Sequence, residues 1–446
     1  MKKLLFFWKE LMATFWFLPL LIIGFAVCSA IGLLSLDNYV TVPREGVFRF
    51  FLVSSSDSAR SLLSTISGAM IGVAGTVFSV TLVALTLASS QFGPRLIKNF
   101  MYVRLNQIVL GSYVSTYLYC LIVLNAIKDN DVYSFIPSIS ILVAMLAAVI
   151  NIILLILFIH NIAISIQADK VISDISDFIS MQVGTLFPEK MGDEKMKEEH
   201  VDSAAAIAAY QKSVSIKSPK NGYLQYVDSE SLMEIVSMND TLFEICQRPG
   251  SYLIKGEKIG ILHSTRDWER DELDIFLNQF VIGKTKTSQQ DLEYSIHQMV
   301  EIAARALSPG VNDPFTAIAC IDHLSSTMAY LAEANFPSQY RFDTEGNLRI
   351  IVDTFTFEGV LDAAFNQIRQ FSGGSPAVII RLMEALTTIY GFTEKENHKK
   401  AILKHAEMVL TIGKETIKEK NDVDDLTGRA ETLLRAEMII KKMSDQ

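Results

Sequence analysis

Four cysteines in 446 residues, none in a CxxC or other metal-type spacing, leave no disulfide framework and no zinc-ribbon chemistry to consider. Cys28 and Cys120 fall in apolar runs, and Cys246 and Cys320 in apolar contexts, the pattern of small buried side chains. HExxH, GxSxG, a P-loop, GxGxxG and the kinase set are all missing, so their chemistries have no carrier. His297, His323 and Asp322 could approach one another in a helical hairpin, but their spacing is not that of a zinc site. No basic patch interleaved with aromatics occurs, and the net charge is −9, which argues against nucleic acid. The chain is therefore expected to be no enzyme, with no metal, cofactor or nucleic-acid partner.

Charge is also missing from most of the first third, and there the absence is informative. Hydrophobic residues make up 50% of the sequence and cluster in Leu11–Leu36, Ile108–Ile127 and a run from Phe135 to His160. A further segment carries no charge between Arg60 and Arg95. Each is long enough to cross a bilayer as a helix, which makes four spans. The amino-terminal Met-Lys-Lys and its apolar run exceed a signal h-region and read as a retained anchor.

The second span differs from the others. Gly68, Gly72, Gly75, Ser79, Thr86 and Ser90 recur at three- and four-residue steps, with Leu82 completing the series. One narrow helical face is therefore small and weakly polar. Such a face suits tight helix–helix packing, or the axis of an oligomer or pore. The candidate pore or interface residues are Gly68, Gly72, Gly75, Ser79 and Thr86, with Arg60 and Arg95 as candidate mouth charges. Lys2, Lys3 and Lys9 before the first span, and Arg95, Lys98 and Arg104 after the second, place both termini in the cytoplasm by the positive-inside rule. Arg44, Arg49 and Arg60 in the first loop argue weakly the other way. His160 is an ionisable group at the edge of the fourth span, at headgroup depth.

Beyond His160 the helical rhythm of Ile164, Val171, Ile175 and Ile179 continues while charges enter, so the fourth span is expected to run on as a stalk. Short β-type runs separated by Lys-Asn-Gly, Arg-Pro-Gly-Ser and Lys-Gly-Glu turns follow from Ser213 to Leu262, with a helix expected over Ser231–Ser237. They resemble the sandwiched hairpins of lipoyl and biotinyl carriers, but Lys255 and Lys258 sit in an ordinary turn, so no prosthetic group is expected. From Thr287 the pattern is helical, with Ser288 and Asp291 as a capping signal, and Leu348–Val352 is one more strand candidate.

Residues 306–318, Ala-Leu-Ser-Pro-Gly-Val-Asn-Asp-Pro-Phe-Thr-Ala-Ile, force a corner between two helices. Asn312 or Asp313 can cap the second helix and Pro314 fits its first turn. Ser308, Asn312 and Asp313 are the candidate soluble site, as polar groups at a helix amino terminus.

Together with residues 58–68 and 77–95, this motif resembles a bacterial family of predicted four-span integral membrane proteins, a domain of unknown function. The resemblance implies a four-span amino-terminal half and a large soluble carboxy-terminal half. We thus expect a membrane protein: an α-helical transmembrane domain at 1–165, a helical stalk and linker at 166–212, a small β-rich module at 213–284 and a mainly helical cytoplasmic domain at 285–446. Its partners are the lipid bilayer of a bacterial inner membrane and further copies of itself. The function expected is a homo-oligomeric channel or pore with a cytoplasmic gating domain, or a membrane-anchored sensor or scaffold.

Overall fold

A computed structural model describes residues 8, 11–12, 14–40, 55–93, 104–130, 133–186, 203–288 and 290–444. The chain divides into two compact units, Met1–Lys170 and Val171–Gln446.

The first unit holds four helices long and apolar enough to cross a membrane: α1 (Phe17–Asp37), α2 (Ser56–Phe92), α3 (Arg104–Ala126) and α4 (Ser138–Ser165). α3 is the central helix and packs on the other three. Its approach to α1 is set by Gly111, where a Cβ would meet Pro19 Cα at 3.0 Å and Ile22 Cδ1 at 3.1 Å. Two apolar clusters fill the bundle, one around Leu63, Cys120 and Ile141, the other around Met70, Tyr113 and Phe158. A hairpin of β1 (Lys128–Asn130) and β2 (Tyr133–Phe135) joins α3 to α4.

Hydrogen bonds join several of the polar groups in this bundle. Asn151, wholly buried on α4, donates to Thr116 Oγ1 (2.8 Å) and accepts from Ser112 Oγ (2.7 Å). Tyr113 Oη donates to the Asn151 carbonyl at 2.7 Å. At one end of the bundle, Asp37 closes the amino terminus of α4 by accepting from the backbone N–H of Ile139 (2.8 Å) and Ser140 (2.9 Å) and from Ser140 Oγ (2.7 Å). A carboxylate there satisfies orphan donors and meets the positive helix end.

The expected continuous stalk is broken. α4 ends at Ser165, Ile166 and Gln167 leave the helix, and α5 (Ala168–Leu186) begins afresh. Ser165 Oγ donates back to the Asn161 carbonyl at 2.7 Å, a side-chain bond that bends helices.

In the second unit the apolar stripe of α5, from Val171 to Val183, is buried. After α6 (Ser203–Ala208) come β3 (Lys212–Lys217), β4 (Gly222–Val227), α7 (Ser229–Met238), β5 (Leu242–Ile245), β6 (Tyr252–Leu253), β7 (Lys258–Ser264), α8 (Arg270–Leu277) and β8 (Phe280–Gly283). Then follow α9 (Leu292–Ala306), α10 (Pro314–Glu333), β9 (Tyr340–Phe342), β10 (Leu348–Val352), α11 (Phe357–Phe371), α12 (Pro376–Tyr390), α13 (Glu396–Thr416) and α14 (Lys420–Ser444). The strands form a three-stranded sheet, β6-β4-β8, and a five-stranded sheet, β3-β7-β5-β10-β9. All pairings are antiparallel except β10 on β5, where Ile350 lies opposite Phe243. The five-stranded sheet thus takes its last two strands from beyond α9 and α10. Residues of both sheets share one core with α7 and α8, in which Phe243 stacks on Phe276 at 5.7 Å. Gly260 leaves room for that ring, since a Cβ there would come within 2.5 Å of it.

The cap of α9 is Asp291, whose Oδ1 accepts from Tyr294 N–H at 2.9 Å, and not Ser288. Both residues offer a side-chain acceptor, but only Asp291 immediately precedes the first helical turn. The Ser288 carbonyl instead receives the Gln182 amide of α5, whose Oε1 in turn accepts from Ser295 Oγ at 2.6 Å.

Candidate functional site

At about 1.5 Å per residue, the 37 residues of α2 extend roughly 55 Å, nearly twice the hydrocarbon thickness of about 30 Å. Ser55 caps its start, its Oγ accepting from Ser58 N–H at 3.2 Å, and Gly93 ends it at φ 113°. The helix has two unlike sides. Ala59, Leu63, Ser67, Met70, Ala74, Val77, Thr81 and Ala88 are buried within the bundle.

The small face lies on the other side. Gly68, Gly72, Gly75, Ser79 and Thr86 are all exposed, and a Cβ added at any of the three glycines would meet nothing within 4 Å. The structure therefore brings these sequence candidates together on one strip, about 27 Å long from Gly68 to Thr86. Among the described residues no helix covers it. Gly111, by contrast, does mediate a close helix contact within the bundle, and as the lone glycine of α3 it carries no glycine period.

The strip's hydroxyls are turned inward on their own helix. Ser79 Oγ donates to the Gly75 carbonyl (2.9 Å) and Thr86 Oγ1 to the Leu82 carbonyl (2.9 Å). What the face offers is therefore bare backbone, methyl groups and hydroxyl lone pairs, with no formal charge. Near the amino terminus of α2, between this helix and α4, lies a separate open groove of about 750 Å³. Asp57, Ser58, Ser61 and Thr65 of α2 line one side, and Met145, Ala148 and Val149 of α4 the other.

Of the candidate mouth charges, Arg60 is exposed one turn into α2 and reaches the Ile127 carbonyl at 3.4 Å. Arg95 lies outside the described residues, as do Lys2, Lys3, Lys9, Arg44, Arg49 and Lys98. His160 is exposed on α4, one turn before its end.

In the second unit the motif at 306–318 folds as the expected corner. Asp313 caps α10, accepting from Thr316 N–H (3.1 Å) and Thr316 Oγ1 (2.5 Å), and Pro314 takes the first helical position. The Thr316 hydroxyl, with help from the backbone N–H groups, holds the Asp313 carboxyl below the usual range against a smaller opposing effect of burial. Ser308 Oγ donates to the Arg305 carbonyl at 2.6 Å. Asn312 adopts φ 50°, a left-handed conformation that asparagine tolerates better than most residues. Two of the three candidate groups are therefore engaged in holding the turn. The turn presents Val311 (53% exposed) and Phe315 (80% exposed) at its tip, apolar residues that sequence reasoning did not single out.

Among the described residues no group of histidine, cysteine and carboxylate side chains could hold a metal ion. The four cysteines are free; burial pushes the Cys246 and Cys320 thiols up, away from thiolate chemistry.

Comparisons with known proteins bear on most of the chain. A family model described as "Predicted membrane protein (DUF2254)" matches residues 12–388, and the chain belongs to that family. Uncharacterized proteins of Mycobacterium tuberculosis (Rv1290c) and Mycobacterium bovis (Mb1321c) are each 31% identical over 341 residues, 74% of this chain. The chain spans 63% of the length of those relatives. No solved structure matches it.

Proposed function

We propose that this family member is a homo-oligomeric protein of a bacterial inner membrane whose α2 helices meet along their small faces around a common axis. The observation that carries the reading is the uncovered strip from Gly68 to Thr86, with open space over every glycine. In lipid such a strip forfeits dispersion contacts that a neighbouring backbone would supply, because small residues let helices approach closely. Its length of about 27 Å matches the hydrocarbon core, so the contact would run through the full membrane depth.

Four spans do not readily enclose a pathway in one subunit, so a symmetric ring is the natural construction for a pore. An axis lined by Gly75, Ser79 and Thr86 presents weak dipoles and no charged ring. Selectivity would then come from the mouths, where Arg60 and Arg95 favour anions slightly. Both termini and the second unit are cytoplasmic in this reading, and the second unit gates or assembles the ring without catalysis.

The test joins electron microscopy of purified protein to planar-bilayer conductance. A ring with α2 on its axis and a weakly anion-preferring current, reduced in Arg60→Ser, is the expected result. A monomer, or a ring with α2 on its rim, removes the reading. A second reading, a membrane-anchored scaffold, draws on the exposed Val311 and Phe315 at a turn whose polar groups are bonded. An axial α2 in a ring that passes no current under varied voltage would favour it.

A further inference from the structure

The geometry points to a binding groove for a linear aliphatic polyamine between α10 and α12 of the second unit. This inference is independent of the oligomeric reading. The groove has a volume of about 470 Å³, within the range of small-molecule sites. Its floor is Ala329 and Ala385, both buried, where two packed helices leave a trough between taller neighbours.

The trough is long and carries different chemistry at its ends. On α10, Asp322, Ala329 and Glu333 fall at seven- and four-residue steps, so they share one face. Asp322 and Glu333 are three turns apart, about 16 Å along the axis. At the first end Arg381 donates to Asp322 Oδ1 (2.6 Å) and Glu384 Oε2 (2.7 Å), and Arg429 holds Glu384 Oε1 (2.5 Å). Both oxygens of Glu384 are thereby committed, while Asp322 keeps a second oxygen for a ligand. The two carboxylates hold Arg381 well above its ordinary value, so it stays charged and orients them.

At the other end stand Tyr330 (60% exposed), Phe392 (49% exposed) and Glu333. Lys395 directs its ammonium to the carbonyls of Glu333 (3.2 Å) and Ala334 (2.6 Å) and to Asn335 Oδ1 (2.9 Å). Among the described residues Glu333 makes no ion pair. An unpaired carboxylate beside two exposed aromatic side chains is the chemistry that receives an ammonium group, through charge and cation–π attraction. Ser325, Ser326 and Thr388 line the stretch between the ends and offer hydroxyl oxygens to secondary ammonium groups. An anion would find Arg381 already engaged and three carboxylates along the walls. A flexible chain of methylenes with ammonium groups at both ends satisfies the floor and both ends together.

Calorimetry on the full chain in detergent tests this with spermidine, n-butylammonium and tetralysine as probes. Spermidine is expected to bind with one site per chain and n-butylammonium at least tenfold more weakly, because one head group reaches only one end. Glu333→Gln, an exposed substitution that disturbs no bond described above, should weaken spermidine about tenfold, the scale of one charge-assisted hydrogen bond. Tyr330→Ala should weaken it as well, and Glu407→Gln, on the exposed side of α13, should leave it unchanged. Equal affinity for spermidine and n-butylammonium would overturn the proposal. So would an unaltered Glu333→Gln variant, no binding by folded protein, or tetralysine binding tighter than spermidine, which would assign the groove to a basic peptide.

Discussion

Residues 1–170 and 171–446 bury polar groups by opposite means. In the first unit the buried polar centre is neutral: Asn151, Ser112, Thr116 and Tyr113 exchange hydrogen bonds, and the carboxylate of Asp37 is placed at a helix end on backbone donors. In the second unit the interior accepts formal charge. Arg349, 7% exposed, bonds Asp343 (8% exposed) at 2.7 Å and Asp240 at 2.6 Å. The contrast teaches what the medium permits. A charge inside a bilayer-facing bundle has no water nearby to ease its desolvation, whereas a buried pair in a water-facing unit can reach solvent through one partner, here the exposed Asp240.

The sharpest way to break that comparison is Arg349→Ala, which strands Asp343 in the interior. Removing one partner of a buried pair costs about 3–5 kcal/mol. Urea unfolding followed by Trp268 fluorescence, with Trp8 and Trp16 replaced by Phe, would report on the second unit alone. The same pair sets an acid limb. Burial pushes the Asp343 carboxyl up, but hydrogen bonds from Arg349 and Asn347 outweigh it, and the folded value lies below the usual range. A depressed folded value stabilises fully above the unfolded value of about 4 and is lost as pH falls through the lower, folded one. The urea midpoint should therefore fall below about pH 4 in the parent, and that component should shrink in Arg349→Ala, where only the Asn347 bonds still oppose burial. An Arg349→Ala midpoint equal to the parent's would show that the ionic interior carries no stability.

A second comparison lies within the first unit, between Gly111 and Gly72. Both are glycines on candidate spans, yet a Cβ at Gly111 would strike the α1 backbone while one at Gly72 meets open space. Gly111→Leu should cost the protomer about 1–3 kcal/mol through overpacking, with some of it relieved by α1 moving outward. Gly72→Leu should leave protomer stability alone and lower the oligomeric state on size exclusion with light scattering. If Gly72→Leu runs as the parental oligomer, the small face is not an interface.

That pair also shows what the sequence could and could not disclose. The spans were legible, because a helix that crosses lipid must be long and apolar and little else makes that pattern. The strip on α2 was legible as a face, since period 3.6 is a local property. Which side of the bundle it takes was not, because burial depends on the other helices. Gly111 gave no periodic signal, and Asn151 stood as one polar residue in an apolar run. In the second unit the corner at 306–318 was readable in its turn residues, and Asp313 capped as its position suggested. The pairing of β10 with β5 was hidden, because a parallel partner roughly a hundred residues away leaves no mark at either strand. The partnership of Asp240, Asp343 and Arg349 was hidden for the same reason.

The smallest expected effect falls on Asn151→Leu, and it returns to the first comparison. The substitution removes the acceptor of Ser112 and the donor to Thr116 but leaves the Tyr113 bond, which ends on the Asn151 backbone carbonyl. Ser112 and Thr116 sit on a helix, where a hydroxyl deprived of its partner can turn to a carbonyl one turn back, as Ser79 and Thr86 already do. Little is left unsatisfied, and leucine branches at Cγ as asparagine does. Interhelical hydrogen bonds in membranes average about 0.6 kcal/mol and reach about 1.7. Asn151→Leu should fall in that interval when unfolding is titrated with SDS and followed by circular dichroism. A cost above that of Arg349→Ala would reverse the ranking. The neutral node, not the charged pair, would then be the more demanding way to bury polarity in this molecule.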